Sequence, residues 1–201
     1  MDLRTRLDLL LEPLRRLAGR GIYPPSFAFL LTLPVRRLIL APSTLANRLR
    51  LAPGDEVLEL GAGPGYFSAE IARQIYPGRL TLVDIQSEML ALARRRLTRS
   101  AVENAAFVQA DAATLPFPDD SFDLVVLVTV LGEIAEPERA AAEISRVLRA
   151  GGRLSITEAA GDPDRLSGSS LENLLGPVGF VPKATTGGRL TRTFEFVRLG
   201  R

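Results

Sequence analysis

Residues 57–68 read Val57-Leu58-Glu59-Leu60-Gly61-Ala62-Gly63-Pro64-Gly65-Tyr66-Phe67-Ser68. A short run with the pattern of a buried strand passes straight into glycines at alternate positions, and a helical pattern begins just beyond them. Glycine lets the backbone come close to a ligand and take angles that other residues avoid. Location matters as much as composition, because parallel sheets bind ligands at the carboxyl ends of their strands. A dinucleotide fingerprint would put its third glycine at position 66, where Tyr66 stands. The spacing here is instead Glu-x-Gly-x-Gly-x-Gly.

Downstream, the apolar runs Leu80–Val83, Ala106–Val108, Leu124–Val128 and Leu154–Ile156 predict further buried strands. Helical periodicity marks Phe67–Ile75, Ser87–Arg99 and Pro137–Leu148, the last with Ala141, Ile144, Val147 and Leu148 on one apolar face. This alternation predicts an α/β fold, a parallel sheet covered on both faces. Phe180–Ala184 and Thr191–Arg198 flank Thr186-Gly187-Gly188 and predict a closing antiparallel pair, which brings the sheet to seven strands. Upstream, Leu3, Leu7, Leu10, Leu11, Leu14 and Leu17 lie on one face of a helix interrupted at Pro13. Pro34 can open a second helix towards Leu40, and Ser43 or Thr44 can cap a third with Leu45 and Leu49 inward. The expected division is a helical extension over residues 1–50, ended by the Pro53-Gly54 turn, and a sheet domain over 51–201.

The chain has 201 residues, 46% hydrophobic, which suits one domain with a real core. It contains no Cys and no His. That excludes a disulfide framework, a thiolate nucleophile, a Ser-His-Asp triad and the usual zinc sites. Chemistry is left to a bound cofactor, carboxylates, Tyr, Thr and backbone groups, and no acid cluster with metal-ligand spacing stands out. Lys183 is the only lysine, so the basic residues are Arg as a matter of composition. Their distribution is uneven: residues 1–50 carry nine Arg against Asp2, Asp8 and Glu12, whereas the whole chain is only +2. The start has no uninterrupted apolar core of a signal peptide, and the stretch from Phe27 to Leu40 is broken by Pro34 and Arg36-Arg37. A cytoplasmic protein is expected.

The glycine stretch resembles motif I of the class I S-adenosylmethionine-dependent methyltransferases, and companions stand at the expected strand ends. Leu80-Thr81-Leu82-Val83-Asp84 ends the second strand in an acid, and Gln109-Ala110-Asp111-Ala112 follows the third. Phe122-Asp123-Leu124-Val125-Val126 to Ile134 is similar to motif IV, and Arg149-Ala150-Gly151-Gly152-Arg153-Leu154 to the turn into strand five. The similarity is closest to the group of ubiquinone/menaquinone-biosynthesis-like and other small-molecule methyltransferases. It implies a doubly wound, Rossmann-like sheet with a closing antiparallel strand and an N-terminal helical cap.

It also implies S-adenosylmethionine as cofactor, S-adenosylhomocysteine as product, and a set of contacts. Gly61, Ala62, Gly63 and Gly65 would approach the cofactor, and Tyr66 would shape its methionine pocket. Glu59 would organise its methionine end, and Asp84 its ribose hydroxyls, a diol that a carboxylate suits. Asp111 and Ala112 would lie near the adenine amino group, Val128 would line the site, and Ile85 and Met89 would pack on the ring. Each has a plainer reading: Glu59 as a structural charge, Asp84 as a helix cap, Asp111 as a loop acid, Ile85 and Met89 as core, Tyr66 as the start of a helix. The Asn/Asp-Pro-Pro-aromatic element of amine-methylating nucleobase and Gln enzymes is missing after strand four. Where relatives often carry two His, Gly132 and Glu133 stand, so Glu133 is the candidate to bind or deprotonate an acceptor, or else a solvated helix-start charge. Methylation of arsenite or cytosine C5 uses cysteines and is set aside. The expected reaction is metal-independent methyl transfer to a small-molecule or lipid-like acceptor, mainly by in-line alignment. Its rivals are a non-catalytic cofactor-binding protein and, with less support, a nucleic-acid methyltransferase. The Arg-rich N-terminal helices read three ways: a lid on the acceptor pocket, a peripheral contact with an anionic membrane, or a solvated face.

Overall fold

The computed structural model describes residues 39–160 and 162–200. The first two predicted N-terminal helices therefore lie outside the described residues, apart from Ile39 and Leu40 at the end of the second. The sheet contains β1 (Val57–Leu60), β2 (Leu80–Asp84), β3 (Ala105–Gln109), β4 (Phe122–Val128), β5 (Leu148–Ala159), β6 (Phe180–Gly187) and β7 (Thr191–Arg198). The helices are α1 (Pro42–Leu49), α2 (Ser68–Ile75), α3 (Ser87–Arg99), α4 (Pro137–Val147) and α5 (Gly168–Leu175).

The strand order is β3-β2-β1-β4-β5-β7-β6, with β7 alone antiparallel to its neighbours. Alternation along each strand feeds two cores. Leu58 and Leu60 of β1, Val125 and Leu127 of β4, and Leu154 and Ile156 of β5 pack with α4 and α5 on one face. Val57, Leu80, Leu82, Leu124 and Val126 pack with α1, α2 and α3 on the other. Burial on both faces is why these strands are apolar throughout. The sheet is thus doubly wound, and its order reverses between β1 and β4, where the crevice for a ligand opens beyond the strand ends.

The expected closing pair is present, with β7 inserted between β5 and β6. Three local expectations are corrected. α1 begins at Pro42, with Ala41 as its N-cap, so Ser43 and Thr44 lie inside the helix; proline at the first position needs no N–H partner. Leu45 and Leu49 do face inward, and Arg48 ties α1 to β7 through Thr191 Oγ1 at 3.0 Å and Thr193 Oγ1 at 3.3 Å. The Arg149–Gly152 turn belongs to β5, which runs twelve residues with a shifted register against β4 between Phe122 and Leu124. α5 had no counterpart in the sequence reading; Ser167 caps it by accepting from the Ser170 N–H.

Candidate functional site

The tips of β1, β2, β4 and β5 converge at the reversal of strand order. At the tip of β1, the Gly61 and Ala62 N–H groups both donate to the Val83 carbonyl, at 2.8 and 3.1 Å, which folds the loop back over β2. Gly61 has φ +68°, and a Cβ there would lie 2.5 Å from Val130 Cγ2. This glycine is required twice, by backbone angle and by the close passage of the segment after β4. Gly63 has φ +53°, yet a Cβ would meet nothing within 4 Å. Its backbone faces open space, and the Gly63 N–H reaches across to Asp84 Oδ2 at 2.8 Å. Gly65, by contrast, packs against Ala93 of α3.

Asp84 ends β2 and is 9% exposed. Its other oxygen accepts from the Gln86 N–H at 2.9 Å, so it also organises the entry to α3, as the plainer reading had it. Burial raises its pKa, while the N–H bonds from Gln86 and Gly63 oppose the shift. Glu59 lies 4% exposed in β1, and its Oε2 has no hydrogen-bond partner. Burial pushes its carboxyl up to about 7, with the nearby Ser68 hydroxyl opposing and the Asp84 charge adding. A buried carboxylate with one unpartnered oxygen, a carboxylate held at a strand tip and an open backbone at Gly63 fit a ligand with hydroxyls and a positive group. These residues therefore fit the cofactor that the resemblance implies.

The remaining predicted residues surround this point unequally. Ile85 is 45% exposed beside Asp84, an apolar side chain bared at the crevice, whereas Met89 is buried. Gln109 pairs with Asp84 in the β2–β3 register, which brings Asp111 and Ala112 to the same end of the sheet. Asp111 is exposed, and its Oδ1 accepts from the Ala113 N–H at 2.9 Å, the turn geometry of a loop acid. Ala62 and Val128 line the second core near the crevice. Tyr66 is buried, edge-on to Phe67 with ring centroids 4.8 Å apart and with Arg96 over its face; α2 starts two residues later, at Ser68.

Glu133 is not a solvated helix-start charge. It closes a 3₁₀ turn over Leu131–Glu133, and its half-buried carboxyl is pushed up to about 7, first by burial and then by Asp162, Asp164, Asp84 and Glu158. Thr129, just before this turn, holds φ +54°, costly for a β-branched residue, and its N–H donates to the Thr157 carbonyl at 2.8 Å. The sequence reading missed Glu158, 2% exposed at the end of β5, and Asp162 in the loop beyond it. A signal existed for Glu158: like Glu59, it is an acid inside an apolar strand run.

Comparison with known proteins agrees with this geometry. Residues 58–156 match the family model described as a methyltransferase domain. The ubiquinone/menaquinone biosynthesis C-methyltransferase UbiE of Vibrio vulnificus is 40% identical over 108 residues, 53% of this chain and 42% of the relative. The corresponding protein of Pseudomonas putida is 41% identical over 107 residues, 52% of this chain and 42% of the relative. The chain thus spans about two fifths of the length of these curated relatives. Among solved structures, a SAM-dependent methyltransferase from Aquifex aeolicus superposes with a TM-score of 0.82 at 19% identity, over 89% of this chain and all of that one. The [4+2]-cyclase SpnF shares the fold with a TM-score of 0.71 at 20% identity, over 96% of this chain and 95% of its own. Sequence match and fold agree on the segment that builds the crevice: residues 58–156 are similar to methyltransferase domains, about half of the chain is similar to the ubiquinone/menaquinone biosynthesis C-methyltransferases, and the sheet has the fold of a solved SAM-dependent methyltransferase.

Proposed function

We propose that the chain binds S-adenosylmethionine in the crevice between β1 and β4 and transfers its methyl group to a small-molecule or lipid-like acceptor. The observation that carries this reading is Asp84 at the tip of β2, bonded to the Gly63 N–H at a glycine where a Cβ would meet nothing within 4 Å. Asp84 would hold the ribose hydroxyls, Glu59 would balance the positive methionine end, and Ile85 would cover one face of the adenine. Asp111 and Ala112 would sit at the rim of that base. When bound, the cofactor supplies a methyl carbon made electrophilic by its sulfonium.

The chain's own work is alignment and the exclusion of water. Val130 is pressed against Gly61, and Leu131 is buried beside it, so the wall of the crevice after β4 is apolar. In such a wall a nucleophile held about 3–3.5 Å from the methyl gains most of its rate from orientation. Glu133, which closes the 3₁₀ turn just after Val130, would hold or move a proton of the acceptor. Among the described residues no helix is long and apolar enough to cross a membrane. A cytoplasmic location, and a lid or membrane-contact role for the Arg-rich helical extension of residues 1–50, belong to this proposal.

Calorimetric titration with S-adenosylmethionine and S-adenosylhomocysteine, repeated on Asp84→Ala, tests it. Both ligands should bind the parent at micromolar concentration and the variant far more weakly. Absence of heat with either ligand at millimolar concentration would remove the reading.

A further inference from the structure

We propose that Arg48 is a positioning residue for the crevice: from α1 it holds, through Thr193 and Thr157, the wall that follows β4. This rests on the methyl-transfer reading, because that wall borders the cofactor end of the same crevice.

Arg48 stands in the last turn of α1, and its bonds reach 143 and 145 residues along the chain. Nη1 donates to Thr191 Oγ1 at 3.0 Å and to Thr193 Oγ1 at 3.3 Å, and both threonines are buried. These partners are neutral hydroxyls, and among the described residues no carboxylate forms an ion pair with Arg48. A half-buried guanidinium given hydroxyls in place of an acid supplies direction more than ionic attraction. The β6–β7 turn closes on it as well: a Cβ on Gly187 would lie 3.1 Å from Arg48 Cζ.

From Thr193 the path turns inward. Thr193 and Thr157 are register partners on β7 and β5, and their hydroxyl oxygens lie 2.8 Å apart in a buried pair. The cation at Thr193 polarises its hydroxyl and strengthens that pair. Thr157 is fully buried, and its carbonyl accepts the Thr129 N–H at 2.8 Å. The side chain and carbonyl of one residue thus join Arg48 to the segment after β4. That segment is where order is costly. Thr129 holds φ +54°, and Val130 follows it so close to Gly61 that a Cβ on the glycine would come within 2.5 Å. A strained backbone keeps its place only where its surroundings fix it. Loosening Thr157 frees Thr129, lets Val130 leave the glycine loop and disturbs the cofactor end.

The same helix has a second pin that leads elsewhere. Arg153 Nη1 donates to the Leu49 carbonyl at 2.5 Å, and its Nη2 lies 3.5 Å from Asp55 Oδ2. Arg153 is opposite Leu124, which is opposite Val57, the first residue of β1, so this pin is at the foot of the sheet, away from the crevice. Two arginines fasten α1 to the sheet, one toward each end, and the path to the crevice wall starts from Arg48.

The test compares them in the full chain, by calorimetry with S-adenosylhomocysteine and by urea denaturation. Arg48→Met should weaken S-adenosylhomocysteine binding at least fivefold. Arg48→Lys, which keeps a cation able to donate to both hydroxyls, should restore affinity to within twofold of the parent. Thr157→Val should weaken binding as Arg48→Met does, and the double variant should bind within twofold of the weaker single one, since both break one path. Arg153→Met should lower the urea midpoint yet leave the affinity within twofold. Thr193→Val takes the place of Arg48→Met if that variant does not fold. Affinity unmoved by Arg48→Met, an equal loss with Arg153→Met, or additive losses in the double variant would overturn the positioning role and leave the methyl-transfer reading standing. Failure of S-adenosylhomocysteine to bind the parent would remove both.

Discussion

At the tip of β2, both oxygens of Asp84 receive backbone N–H groups, from Gly63 at 2.8 Å and Gln86 at 2.9 Å. At the tip of β5, Glu158 is buried more deeply; the Leu166 N–H bonds its carboxylate, but Oε1 has no partner and Asp162 and Glu133 add like charge. Asp84 has both oxygens matched by the fold, whereas Glu158, like Glu59 in β1, is left with one oxygen unmatched. Both lie on the same sheet, so the difference comes from the loops. The glycine loop can turn its N–H groups onto β2 because three of its residues lack side chains. The segments after β4 and β5 carry Thr129, Glu133 and Asp162 in place of such glycines.

The largest effect expected from breaking this contrast is on the matched end. Asp84→Ala should weaken S-adenosylhomocysteine binding roughly 100-fold, about 2.7 kcal/mol, the worth of one or two hydrogen bonds to a charged group. A loss under threefold by calorimetry would mean that Asp84 serves the protein alone. Next come the glycines, which separate packing from binding. Gly61→Ala drives a Cβ to 2.5 Å from Val130 at φ +68° and should cost about 2–3 kcal/mol in urea denaturation. Gly63→Ala meets nothing within 4 Å at φ +53°, so it should cost only about 1 kcal/mol of backbone strain while reducing cofactor affinity about tenfold. Equal destabilisation by the two would contradict the open cradle.

A smaller effect belongs to the three glutamates whose carboxyls folding pushes up. Glu59, Glu133 and Glu158 each rise from 4.5 to about 7 on folding. Over that interval the folded state holds more protons than the unfolded one, so stability conferred by these groups is full below pH 4.5 and is lost as pH climbs through about 7. The urea midpoint should fall across that window, and Glu158→Gln should flatten the fall and raise the midpoint at pH 8. An unchanged slope would show that Glu158 is ionised without cost. Smallest of all, Ser167→Ala removes the cap of α5 and should cost about 1 kcal/mol, with no change in cofactor affinity.

Much of this architecture is legible in the chain itself. The patterns at Val57–Leu60 and Thr191–Arg198 match β1 and β7 residue for residue, because a strand buried on both faces or paired on both edges has little freedom in composition. Motif I and Asp84 were legible for a related reason: a tight loop over a parallel sheet demands glycines in sequence, and its companion acid ends the next strand. α5 was not, since Gly168-Ser169-Ser170 has weak helix propensity; the helix is held by burial of Leu171 and Leu175 and by the Ser167 cap. β5 was read as three residues instead of twelve because its first half, Leu148–Gly152, has the look of a turn. Only Leu148 of that half has a partner, Phe122 of β4, before the register shifts; two-sided pairing with β4 and β7 begins at Arg153.

What the amino-acid sequence determined by itself is the alternation that makes the sheet and the loop that makes the cofactor end, since both are written in neighbouring residues whose period sets their burial. The raised carboxyls of Glu133 and Glu158 were decided only in the tertiary structure. Nothing local marks acids on separate segments as bearing on one another; they do so because β4 and β5 are neighbours in the sheet, with their tips at the same end of the crevice. Their shared electrostatics depend on distance through the folded molecule and on the water removed around them, neither of which is a property of a segment.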